Sequence, residues 1–404
     1  MGPVHASERI ASLDIMRGLA VLGILAVNAA YFAAPWQTAI NPLQPPLSVT
    51  PETLWTWALM HVVFEYKFIT MFSLLFGASL CMVGGVEEDA ARAGVLWRRL
   101  LWLLLFGAVH GALIWNGDIL LAYALTGMLV AFARKYPARV LIMAGVGVYV
   151  LALAMQQLSL AAMFADARGA KALESVIWAL PLDDVARMRA DYQGGLVSAT
   201  HANASLWAQF LIHGLPGLMT RTAGVMLIGM ALFKWGFLSA RAPAWLYALL
   251  IGVGALALGV VAWQAMESAT AQFAYRYMYL RGMNVNAALS ILVTLGYVGI
   301  IALAVKGGLR VRPLAAVGRM AFTNYIAQSL IMTTIFWGGR GFGLYGEVDR
   351  LTLWAIVLMV WAAQLVWSPL WLAHFRMGPL EWLWRRLSYA KPVAIGKETS
   401  GGNA

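Results

Sequence analysis

Stretches of about 20 apolar residues recur from one end of the chain to the other, and most carry no more than one or two ionisable side chains. That length is what an α-helix needs to cross the hydrocarbon core of a bilayer. Only 12% of the 404 residues are charged and 61% are hydrophobic, whereas a soluble domain carries about 25% charged residues. The strict alternation of a membrane barrel is missing. The sequence therefore predicts an all-α, polytopic helical membrane protein. Ten spans are expected, near residues 13–33, 67–86, 97–116, 118–133, 138–158, 220–237, 243–263, 284–305, 317–338 and 351–373. Asp14 at the start of the first stretch, with Tyr31, Phe32 and Trp36 after it, favours an uncleaved anchor over a signal peptide.

Loop charges set the expected orientation. Arg92, Arg98 and Arg99 fall between one pair of spans, Arg134, Lys135 and Arg139 between the next. Lys234 and Arg241, then Lys306, Arg310, Arg312 and Arg319, then Arg376, Arg385 and Arg386 follow. With ten spans and both termini in the cytoplasm, all these groups lie inside, as the positive-inside rule requires. The net charge of +11 is thus assigned to orientation and to anionic lipid, not to nucleic acid. The lone cysteine, Cys81, excludes an intrachain disulfide, and no metal-ligand pattern is present. Residues 1–390 read as one membrane-embedded domain and 391–404 as a flexible cytoplasmic tail. Two stretches are expected to lie in the interface: "PETLWTWALMHVVFEYKF", with His61, Glu65 and Lys67, and "SLWAQFLIHGLPGLMTRT", broken by Gly214, Pro216 and Gly217. Small-residue faces on several spans would permit a homodimer.

Ionisable groups inside a span cost roughly 2.5–3.5 kcal/mol each, so each is a functional candidate. In "RRLLWLLLFGAVHGALIWNGDILLAYALTG", His110 lies eleven residues after Arg99. Three helical turns put both on one face, about 16 Å apart. Arg17 and Asn28 repeat that spacing in the first span, with Asp14 one turn before Arg17. The pattern suggests a channel entered from the cytoplasm, with cations at the mouth and an imidazole deeper in. A coenzyme A thioester has the matching shape: Arg17 and Arg99 would hold phosphates, and His110 would act as base or transient nucleophile. Asn28 or Asn324 would face the thioester oxygen. On a straight helix Asp118 would sit about 12 Å beyond His110, so pairing requires the "NG" turn to fold it back. It would then orient His110, or else bind the acceptor. Tyr123, Asn324, Gln328 and Arg281 complete the substrate-binding candidates. Plainer roles stand beside these: packing for His110, lipid anchoring for the arginines, an N-cap for Asp118, and interhelical hydrogen bonds for Asn324 and Gln328.

The stretches "RIASLDIMRGLAVLGILAVN", "KFITMFSLLFGASL", "LFGAVHGALIWNGDILLAYALTG", "GRMAFTNYIAQSL" and "GPLEWLWRRLSY" together resemble the YeiB-like family of bacterial inner-membrane proteins, long labelled a domain of unknown function. The opening "LDIMRGLAVLGILAVN" is also similar to that of heparan-alpha-glucosaminide N-acetyltransferase and its bacterial relatives. That resemblance implies a transmembrane acyltransferase fold, with acetyl-CoA approached from the cytoplasm. It also implies a membrane-embedded histidine. "YFAAPWQTAINPLQPP" after the first span has none, so the role would fall to His110. The expected function is transfer of an acyl group, acetyl first of all, from acyl-CoA to a glycan or lipid acceptor of the envelope. A transporter or flippase with a His/Asp relay, and a non-catalytic scaffold, are the alternatives.

Overall fold

The computed structural model describes residues 10–87, 89–389 and 393–396. Among them the fold is helical, apart from an isolated bridge between Phe375 and Gly396. Each of the ten apolar segments forms a helix: α1 (Ala11–Ala33), α2 (Lys67–Gly84), α3 (Ala90–Val109), α4 (Leu120–Val130), α5 (Ala138–Ala165), α6 (Leu215–Lys234), α7 (Ala244–Thr270), α8 (Met283–Lys306), α9 (Ala321–Phe336) and α10 (Arg350–His374). Eight of them, three lengthened by a neighbouring helical segment, are long and apolar enough to cross a membrane. The exceptions are α4 and α9. Asp118 delays the start of α4, which ends in a 3₁₀ turn over Ala131–Lys135. A break at Met320 separates α9 from a short helix, Arg312–Arg319.

Both short helices still cover the depth of their neighbours. Arg134, at the end of α4, donates to the carbonyl of Gly84 at the end of α2. Beyond the far end of α9, the Gly346 amide donates to Ala33, the last residue of α1. The loop cations gather at one end of the bundle, where they bind carbonyls of neighbouring segments. Lys234 reaches Tyr136, Lys306 reaches Ala240 and Ala242, and Arg98 reaches Ser388. The opposite end is capped by the helices Ala167–Ile177, Leu182–Gln193 and Leu196–His213. The segment after α1 is not a loose loop. Gln37, Asn41 and Gln44 are buried and donate to carbonyls of Val176, Trp178 and Leu180, and Arg350 donates to Thr38 and Leu47.

The stretch around His61 is helical and leads into α2. Leu54–Phe64 ends in a π-helical turn and enters α2 through Tyr66, whose φ is 65°. His61, Glu65 and Lys67 are all buried, because they satisfy one another and Asn286 of α8. The second expected interfacial stretch is two helices joined at Gly214. The first of these packs on the end of α3 through Asn203, which donates to the carbonyls of Gly111 and Ala112. Of the tail, only residues 393–396 lie among the described residues. They are held by Trp382 donating to Val393 and Arg376 donating to Ile395.

α1 is the central helix, enclosed by α2, α8, α9, α10 and Arg312–Arg319. Its closest neighbour touches it backbone to backbone. A Cβ on Gly318 would stand 1.8 Å from the Asp14 carbonyl oxygen, and one on Gly18 2.1 Å from that of Leu314. Gly318→Leu is therefore expected to wedge the two helices apart and to cost at least the ~1–3 kcal/mol typical of overpacking. A lowered melting temperature in detergent checks this, and an unchanged one contradicts it.

Candidate functional site

A cavity of about 380 Å³ opens at the basic end of the bundle, among α1, α2, α3, α9 and the amphipathic helix Pro379–Ser388. The volume lies in the range of small-molecule sites. Six arginines line it: Arg17, Arg92, Arg99, Arg319, Arg376 and Arg385. Asp14 and Glu381 are the lining carboxylates, and both are engaged. Asp14 pairs with Arg17 at 3.2 Å. Glu381 caps the N-terminus of α9, accepting from the Phe322 and Thr323 amides and the Thr323 hydroxyl. Burial pushes its carboxyl above the ordinary carboxylate range, against the pull of those hydrogen bonds. Arg99 lies over the Trp384 ring, 4.1 Å from its centroid. The mouth is thus strongly cationic, while Val21, Ile24, Leu103, Ile119 and Leu120 give the interior an apolar lining.

The inner wall is formed by Ile119, Leu120, Tyr123 and Tyr325. Directly behind it stand His110 and Asp118, each 1% exposed. The "NG" turn does fold the carboxylate back: His110 Nδ1 is 2.8 Å from Asp118 Oδ1. Asp118 is also the N-terminal cap of α4, accepting from the Leu120 and Leu121 amides at 3.1 and 2.8 Å. Two local features make this possible. His110 begins a π-helical turn, His110–Ile114, which ends the helix before the chain reverses at Trp115. Gly107 lets α4 approach closely, since a Cβ there would stand 2.2 Å from the Leu121 nitrogen. The carbonyls freed at this helix end are satisfied by Asn203 and by Arg340, which donates to Leu113 and Ile114.

The remaining ring nitrogen, His110 Nε2, is 2.9 Å from Ser329 Oγ. The Tyr325 ring packs against the imidazole at 5.3 Å between centroids. Tyr325 therefore forms the partition between cavity and histidine. Of the candidate residues, Arg17, Arg99 and Tyr123 line the cavity. The Tyr123 hydroxyl is held by Ser73 and by the Ile69 carbonyl.

Other expected residues lie elsewhere. Asn28 sits a turn beyond Ile24 and outside the cavity lining. Asn324 donates to Val317 and Ser368 and accepts from Trp367. Gln328 donates to Val21 and Gln364. Both amides tie helices together, and neither is among the residues that line the cavity. Arg281 is exposed near the opposite end, over the Tyr277 ring. Sequence reasoning did not assign Ser329, Tyr325, Arg319, Arg376, Arg385 or Glu381 to the site. The "TNYIAQSL" motif carried a signal for the first two, since Tyr325 and Ser329 are one turn apart.

A second polar cluster lies among α2, α8 and the π turn Met60–Phe64. His61 Nδ1 contacts Glu65 Oε2, Lys67 Nζ donates to the His61 carbonyl and to Asn286 Oδ1, and Asn286 Nδ2 donates to Glu65. None of these four side chains lines the arginine-rich cavity.

A family model described as a protein of unknown function, DUF418, matches residues 232–391. The chain is 34% identical to the uncharacterized protein YeiB of Escherichia coli strain K12, over 96% of this chain and 99% of the relative. It is 31% identical to the uncharacterized protein YxaH of Bacillus subtilis strain 168, over 98% of each. No solved structure matches. With a helical bundle built to cross a membrane and relatives aligned along almost its entire length, the chain belongs to the YeiB-like family.

Proposed function

We propose that this protein is a membrane-integral acyltransferase of the bacterial inner membrane. It takes an acyl group, acetyl first of all, from a cytoplasmic acyl-CoA and delivers it to a hydroxyl or amine of an envelope glycan or lipid. The basic end faces the cytoplasm, following the loop charges. The observation that carries the reading is a cavity that joins a six-arginine mouth to the wall covering His110 and Asp118. Guanidinium groups match phosphates bidentately. An apolar tunnel suits a pantetheine arm, and the Arg99-to-His110 distance of about 16 Å along one helix suits its reach. His110, oriented by Asp118, serves as general base at the inner end.

Coenzyme A binding by the purified protein in detergent tests this. Saturable binding is expected, weakened about 10- to 100-fold by Arg17→Ala or Arg99→Ala, as for loss of a hydrogen bond to a charged group. Transfer from acetyl-CoA is expected to vanish in His110→Ala. Absence of coenzyme A binding, with solute uptake driven by a proton gradient, would replace the proposal by a transporter. The buried His61–Glu65–Lys67 cluster favours that second reading, because intramembrane ionisable groups mark proton and substrate pathways.

A further inference from the structure

We propose that Ser329 is the nucleophile, carrying the acyl group as a serine ester between donor and acceptor. This rests on the acyltransferase reading above and assigns its covalent step. Three helices bring together Ser329 Oγ, His110 and Asp118, with contacts of 2.9 Å to Nε2 and 2.8 Å to Nδ1. That is the spacing of an activated hydroxyl, its base and the group that orients the base.

The serine step uses one tautomer of the ring, the one that suits the hydrogen bonds of Asp118. Two backbone amides, which can only donate, already point at the Asp118 carboxylate, so it acts as an acceptor and Nδ1 carries the hydrogen. Nε2 of the neutral ring is then a lone-pair acceptor aimed at Ser329. A serine inside a helix ordinarily returns its hydroxyl to the carbonyl four residues back. Here that contact, to Tyr325, is 3.4 Å, half an ångström longer than the one to the imidazole. The hydroxyl proton is therefore directed to the base.

In the first step Oγ attacks the thioester carbonyl and its proton passes to Nε2. The carbon–sulfur bond breaks, the thiolate takes that proton, and coenzyme A leaves as the thiol. In the second step the acceptor hydroxyl or amine attacks the serine ester and gives its proton to Nε2. The carbon–oxygen bond to Ser329 breaks and Oγ is reprotonated. No oxidant or reductant is needed. Tyr325 lies between the cavity and the imidazole, so the thioester reaches Oγ when that ring turns aside.

The test uses the full chain in detergent with isotope-labelled acetyl-CoA and no acceptor, quenched in acid and mapped by mass spectrometry. The expected result is a base-labile acetyl group on the peptide containing Ser329, absent in Ser329→Ala and His110→Ala. Ser329→Cys is expected to retain the label as a thioester. Transfer in Ser329→Ala should fall at least ~10³-fold, by analogy with loss of a triad nucleophile, with coenzyme A binding unchanged. Ser329→Ala that binds coenzyme A and transfers at the wild-type rate overturns the serine step and leaves the acyltransferase reading intact. Label found on His110 does the same. A wild-type protein that neither binds coenzyme A nor becomes labelled overturns both.

Discussion

Asp118→Asn is expected to lower the rate of thiol release from acetyl-CoA by about 10⁴-fold, the size of the loss when the orienting carboxylate of a serine triad is made an amide. The substitution barely changes shape. Asparagine is as good an N-cap as aspartate: its oxygen, in the place of Oδ2, still accepts from the Leu121 amide, while the amide nitrogen takes the place of Oδ1, which now faces His110 and the Leu120 amide. With the oxygen so held, the amide nitrogen turns to His110 Nδ1. Two donors cannot face each other, so the ring proton moves to Nε2 and meets Ser329, where a lone pair is required. Folding, elution and coenzyme A affinity should be unchanged while turnover collapses. Thiol release measured in membranes, which supply the native acceptor, reads this directly. A loss smaller than tenfold would mean that Asp118 serves α4 as a cap and nothing more.

Glu65→Ala is expected to be the most destabilising single change in the second polar cluster, by about 3–5 kcal/mol, the cost of leaving a buried charge without its partner. Lys67 is fully buried. Its ammonium donates to the His61 carbonyl and to Asn286, and Asn286 and His61 both bind the Glu65 carboxylate. Removing that carboxylate takes the nearby negative charge from a buried cation and leaves His61 Nδ1 without its acceptor. The double variant Glu65→Gln/Lys67→Met should recover most of the loss, because it removes the buried cation together with the carboxylate. Melting temperatures in detergent for the single and double variants decide the matter. If Glu65→Ala melts with the wild type, the cluster does not hold α2 to α8.

Much of this architecture follows from local sequence. Apolar stretches of bilayer length gave the helices, and charge in the short loops gave a basic end. The eleven-residue spacing of Arg99 and His110 placed a cation at the mouth and an imidazole deeper on the same helix, and the helix holds that register up to His110. The straight-helix estimate failed beyond it. The π turn His110–Ile114 and the reversal at Trp115 bring Asp118 to hydrogen-bonding distance, where an unbroken helix would have put it about 12 Å away. The stretch around His61 reads as interfacial from its tryptophans and its three ionisable side chains. In the bundle they neutralise each other, and burial becomes affordable.

Helical periodicity tells which residues share a face of one helix, but not which other helix that face will meet. Local pattern thus determined a multi-pass helical membrane protein and nominated Arg17, Arg99, Tyr123, His110 and Asp118. Tertiary packing alone brought Ser329 to His110 from a helix more than 200 residues away. It gathered Arg319, Arg376 and Arg385 around the same opening, and turned Asn324 and Gln328 toward neighbouring helices. Such contacts depend on close approach, as at Gly107 and Gly318, and on how helices rotate to bury their polar groups against one another.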